Sequence, residues 1–160
     1  MVLSRIHCKT NIMGPQAGVV LLEALIGILF FSLGILGLIG LQAMSIRHTA
    51  DAKIRADATY LANQIIGQMW LDRANIATYA HNPTGPICNP DDVPSTNANV
   101  QAWLGNVTSA SSAAALPGAT EAMQQIILNT AANNAVTVRL CWRLPADEES
   151  HNLVVTANIN

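Results

Sequence analysis

Glu23 is the single charge in the apolar run Val19–Leu41. A carboxylate near the middle of a membrane-spanning helix costs about 2.5–3.5 kcal/mol on insertion scales. Glu23 is five residues into the run, about 7 Å along a helix, where the cost is smaller but still calls for a cationic partner or for snorkelling to the interface. The three cysteines, Cys8, Cys88 and Cys141, form a second reactive group, and an odd count is awkward for an exported chain. Other residues able to do chemistry show no pattern. His48, His81 and His151 lack metal-ligand spacing. Asp91–Asp92 and Glu148–Glu149 lie in segments that read as solvated loops. No phosphate loop, nucleophile elbow or zinc motif occurs. The expectation is a protein that is not an enzyme and carries no cofactor and no metal.

The elements that position these residues follow from periodicity. As a helix, Val19–Leu41 is about 34 Å long, enough for a hydrocarbon core of about 30 Å. A secretory signal has a shorter apolar run and a small-residue cleavage site after it, and "IGLQAMSIRH" instead continues the helix. From Gln42 to about Tyr79 there is no Pro, and Ile54, Ala58, Leu61, Ile65 and Met69 form one apolar stripe. Met69 and Trp70 read as core. Arg47–Asp51, Asp51–Arg55 and Lys53–Asp57 are opposite charges four apart on a solvated face. Together these segments predict one continuous helix of about 85–90 Å.

Pro83, Pro86, Pro90 and Pro94 mark a loop after it. Thr96 or Asn97 is the expected cap of a short helix carrying Val100, Trp103, Leu104 and Val107. "TSASSAAALPGAT" reads as a flexible link. A short strand is expected over Gln124 to Asn129, then a turn around Asn133 and Asn134. "AVTVRLCWRL" puts Val136, Val138, Leu140, Trp142 and Leu144 on one face of a strand, and "NLVVTAN" is its partner across the hairpin loop "PADEESH". The class is α+β, a small antiparallel sheet on a long helix.

The N-terminal string "QAGVVLLEALIGILFFSLGILGLIGLQ" places a Gly just before the apolar run and a Glu as the fifth residue after that Gly. This resembles the signal of type IV prepilins and type II secretion pseudopilins, and "GILGLIGLQ" resembles the PilV-like minor pilins, the type IV pilus modification protein group. The resemblance covers Val19 to about Trp70. It implies that prepilin peptidase cuts between Gly18 and Val19, that Val19 is N-methylated, and that Glu23 is the assembly charge, pairing with a neighbouring subunit's Val19 ammonium. The usual first mature residue is Phe, whereas this chain has Val19. Met13 is an alternative start, one that discards Arg5 and Lys9.

The implied organisation is a leader over 1–18, a transmembrane and filament-core half-helix over 19–41, a periplasmic half-helix over 42–79 and a small domain over 80–160, in a lollipop shape. Gly27, Gly34, Gly37 and Gly40 read either as small-residue packing or as a weak stretch able to extend, as pilin helices do in filaments. Basic Arg5 and Lys9 precede the span and no acid does, which predicts a cytoplasmic N-terminus. The implied location is the inner membrane, single pass with the small domain periplasmic, and then the pilus. Implied partners are prepilin peptidase, other minor pilins, the major pilin, the inner-membrane assembly platform and, before assembly, lipid.

Cutting after Gly18 removes Cys8 and leaves Cys88 and Cys141. In an oxidising compartment these are expected to form a bridge, with two unpaired buried thiols as the alternative. The leading functional expectation is a minor pilin of the priming or tip complex, supporting twitching, adhesion or DNA uptake through the pilus. A type II secretion pseudopilin and a membrane-anchored adhesin or binding module are the alternatives. Without Arg5 and Lys9, six basic residues face ten acids, so direct nucleic-acid binding is not expected.

Overall fold

The computed structural model describes residues 17–132 and 134–160. The expected leader features Arg5, Cys8, Lys9 and Met13, and the turn residue Asn133, lie outside the described residues. The described residues form two units, one ending at Arg47 and one running His48–Asn160.

Helix α1 is Ala17–Leu71, followed by a 3-10 turn at Arg73–Tyr79. The expected end near Tyr79 is therefore corrected to Leu71. Asp72 breaks the α-helix: its backbone leaves helical geometry (φ −119°, ψ 43°), and its carboxylate accepts bonds from Asn75 Nδ2 (2.7 Å) and the Tyr79 hydroxyl (3.1 Å). Short polar side chains that bond locally compete with the helical ladder in this way.

In the unit beginning at His48, one face of α1 supplies Ala58, Leu61, Ala62, Ile65 and Met69 to the core. Helix α2, Ala98–Thr108, adds Val100, Trp103, Leu104 and Val107. Its cap is Asn97, whose Oδ1 accepts from the amides of Asn99 and Val100. Strands β1 (Gln125–Asn129), β2 (Ala135–Trp142) and β3 (His151–Asn158) form an antiparallel sheet in the order β1-β2-β3. Val138 pairs with Ile126 on one side and with Val155 on the other. Val136, Val138, Leu140 and Trp142 are buried as their alternation predicts, and the sheet packs on the helices as one α+β core. Leu144 lies beyond the strand and is half-buried.

Three further expectations are corrected. Trp70 is not core: it is 43% exposed, with the Arg73 guanidinium over its ring. Of the three ion pairs, Lys53–Asp57 forms at 3.5 Å, whereas Arg55 turns to the Trp142 ring, 5.9 Å from its centroid. The 108–120 segment is built in. Leu116 is buried and its amide donates to Val107 O at 2.9 Å, and Pro117 O accepts from the Arg143 amide at 3.0 Å.

Candidate functional site

Gly18, Val19 and Glu23 lie in the first turns of α1, and all three are exposed. Val19 and Glu23 are four residues apart, so their side chains share a face, about 6 Å apart along the axis. Every residue from 18 to 50 is exposed, including Phe30, Phe31, Leu36 and Leu41. The apolar stretch has a mean hydropathy of 2.6 in a helix long and apolar enough to cross a membrane. A surface so apolar needs lipid or other helices against it.

Ser32, the first hydroxyl in that stretch, donates back to the carbonyls of Ile28 and Leu29, so it presents no unpaired donor to an apolar phase. A Cβ at Gly27, Gly34, Gly37 or Gly40 would meet nothing within 4 Å. The chain's own packing therefore does not require these glycines, each of which costs about 1 kcal/mol relative to Ala in a helix in water.

The second chemically active pair is brought together. Cys88 and Cys141 form a disulfide with Cα atoms 5.5 Å apart. Cys141 is on β2, and Cys88 sits in the Pro-rich loop with φ +64°. That loop is held by buried amides. Asn82 donates its backbone N–H to Val93 O (2.8 Å) and accepts the Val93 amide on its side-chain Oδ1 (2.9 Å). Gln125 Nε2 donates to the carbonyls of Asn82 and Thr84. Gln124 treats Cys141 as a strand partner would: its Oε1 accepts the Cys141 amide at 2.9 Å and its Nε2 donates to the Cys141 carbonyl at 3.0 Å. At Gly85, φ is +91° and a Cβ would stand 2.6 Å from the Asp91 nitrogen, so the turn that starts this loop needs glycine.

The remaining candidates have structural roles or none. His81 is buried, with Nδ1 accepting the Ser95 amide and Nε2 against Glu121 O, both at 3.1 Å. His151 pairs with Asp147 at 2.8 Å and stacks on Trp142. Asp91, Asp92, Glu148 and Glu149 are exposed, and among the described residues no cluster of His, Cys, Asp and Glu could hold a metal. Tyr79 is buried, and this raises its hydroxyl pKa above the ordinary 10.0; the Asn99 amide opposes the shift, and the Asp72 carboxylate adds to it. Sequence reasoning missed Asn82, Gln124 and Gln125, because single buried amides leave no periodic signal. No protein-family model, no curated protein and no solved structure matches this chain.

Proposed function

We propose that this protein is a minor pilin of the PilV-like kind: a prepilin trimmed after Gly18, methylated on Val19 and built into a type IV pilus through its apolar helix. The observation that carries the reading is Glu23, the one charge in a wholly exposed apolar stretch, on the same helical face as Val19 and the fifth residue after Gly18, the prepilin spacing. Trimming creates a free α-amine, cationic at neutral pH. A neighbouring subunit's Glu23 then gains a cation where both would otherwise be unpaired in an apolar core. Before assembly the chain spans the inner membrane once with its disulfide-bearing unit outside, a compartment in which such bridges persist. Prepilin peptidase, the assembly platform, the major pilin and other minor pilins are the partners this implies.

Mass spectrometry of the mature protein tests the reading. It expects Val19 as the N-terminus with one added methyl, and Gly18→Glu blocks processing. Glu23→Ala leaves membrane insertion intact and lowers incorporation into pili. An unprocessed chain that supports normal piliation would falsify the proposal. Normal piliation with lost exoprotein export in a deletion strain would replace it with the pseudopilin reading.

A further inference from the structure

Tyr60, Leu61 and Gln64 on α1, Asn106 on α2 and residues 112–114 line a hollow of about 220 Å³. The fold fixes its walls. Leu61 O accepts the indole N–H of Trp103 at 2.9 Å, which holds α1 against α2 beside the hollow. On the remaining side the Ala115 amide donates to Ser112 O at 3.2 Å, and Leu116 is buried with its amide on Val107 O. The hollow is therefore formed before anything enters it, as binding sites usually are.

Its polar groups differ from those elsewhere in the same unit. The buried side chains Asn82, Gln124 and Gln125 each use both their oxygen and their nitrogen in hydrogen bonds. Gln64 Oε1, by contrast, is shut off from solvent and accepts no hydrogen bond. The Tyr60 hydroxyl, the Asn106 amide and the Ser112 hydroxyl have no side-chain partner among the described residues either. A buried acceptor left open disfavours the free form, and a donor entering the hollow satisfies it.

The lining decides what kind of molecule that donor belongs to. None of the lining residues is charged, so a phosphate, carboxylate or ammonium group would lose water here without gaining a counter-charge. An apolar molecule would cover Gln64, Asn106 and Ser112 without bonding them. The fitting ligand is uncharged, has hydroxyls that both donate and accept, and has C–H surface for the Tyr60 side chain, which is 60% exposed. The hollow is smaller than the about 300–1,000 Å³ of pockets for drug-sized molecules, and so has room for a single small ring. A pyranose sugar has all of these properties.

We propose that this hollow binds one uncharged sugar residue, with Tyr60 against its C–H face and the Gln64, Asn106 and Ser112 side chains bonded to its hydroxyls. The proposal is independent of the pilin reading. The lining lies wholly within the unit His48–Asn160 and needs neither trimming nor assembly.

The test uses the full-length protein in a zwitterionic detergent, because detergents with sugar headgroups would compete. Methyl glycosides of glucose, galactose and mannose, and N-acetylglucosamine, are titrated while amide resonances are followed by NMR. The expected result is saturable shifts at Tyr60, Asn106 and Ala113 with at least one of them. Gln64→Leu and Asn106→Ala should each weaken that binding by up to about tenfold, the loss of one hydrogen bond. The Gln64 variant removes an unsatisfied buried group, so its fold is expected to hold. Glucuronate should bind more weakly than the neutral sugars, because no cation meets its carboxylate. Absence of saturable shifts with all four sugars overturns the proposal. So do unchanged affinity in both variants, and equal shifts with glycerol, which would make the hollow a general polyol contact.

Discussion

The indole Nε1–H of Trp103 donates to the backbone carbonyl of Leu61 at 2.9 Å, tying α2 to α1 inside the core. Trp103 is among the largest fully buried side chains. Trp103→Phe removes this donor and part of the ring volume, while Leu61 O keeps its place in the helical ladder. The lost hydrogen bond contributes about 0.5–1.5 kcal/mol, and the space left behind adds to it. A fall in stability of about 2–3 kcal/mol is expected from these terms together. Urea unfolding followed by near-UV circular dichroism measures it, and an unchanged midpoint would show that the link between the helices is dispensable.

Cys88 and Cys141 are 53 residues apart. Closing a loop of that length stabilises by about 4 kcal/mol in the chain-entropy model. The paired replacement Cys88→Ser with Cys141→Ser is expected to lose a comparable amount while keeping the sheet, because Gln124 holds the Cys141 backbone independently of the sulfur. Thiol labelling of unreduced wild-type protein should find neither cysteine, and thermal unfolding of the double variant reads the loss. A double variant as stable as wild type would remove the staple from the energetics of the fold.

Gly118 has φ +63°, and a Cβ there would stand 2.1 Å from the Arg143 carbonyl oxygen. The close approach lets Pro117 O accept the Arg143 amide, which joins the 108–120 segment to the end of β2. Gly118→Ala must either clash or pull this segment away. A non-glycine residue in the left-handed region alone costs about 1 kcal/mol or more, and the clash adds to that. Faster hydrogen exchange at Leu116 and Arg143 in the variant is the expected signature. Unchanged exchange would mean that the segment holds without the bond.

The legible parts of this fold were those written in repeating patterns. The stripe Ile54 to Met69 and the alternation Val136 to Trp142 each repeat several times, so each core face emerges from spacing alone. The cap at Asn97 sits directly before its helix. The illegible parts are single events. Asp72 stops α1 where no Pro warns of it, by bonding Asn75 and Tyr79. Arg55 leaves Asp51 for Trp142, a ring brought near only by the fold. Gln124 acts as a backbone partner for a strand that follows it in the chain. Of the candidate site, Glu23 was visible because one charge in an apolar run needs explaining. The amides that hold the Cys88 loop were not, because each works through a contact more than ten residues away in sequence.

Tyr79 sets an alkaline limit. Burial raises its pKa above 10.0 in the folded chain, with Asp72 contributing in the same direction and Asn99 opposing. A group whose folded pKa is raised holds its proton more tightly when folded. Its contribution to stability is therefore complete below pH 10.0 and is lost as pH rises through the higher folded value. Unfolding of the wild type should ease above that pH, with a rise in tyrosinate absorbance accompanying it. Tyr79→Phe should show a flatter stability profile there, apart from the constant loss of its bonds to Asp72 and Asn99. Parallel profiles for the two proteins would move the alkaline transition to another group.

Among the described residues every buried core residue lies between Ala58 and Ile159, and Ile54 is the first partly buried one packed against them. A fragment covering His48–Asn160 therefore contains all of the described core, both cysteines of the bridge and the cap of α2. The exposed apolar residues of the other unit, which would drive aggregation in water, are gone. The fragment is expected to be soluble, monomeric at low concentration, oxidised between Cys88 and Cys141, and cooperative in urea unfolding. Its first helical turns should fray, since residues 48–53 are exposed and short unpacked helix is marginal in water. Hydrogen exchange should thus be fast up to about Lys53 and slow from Ala58 onward, where one face of the helix is buried. Gel filtration, near-UV circular dichroism and exchange rates check each point. Aggregation of the oxidised fragment, or uniformly fast exchange through α1, would mean that the exposed unit is needed to hold the core together.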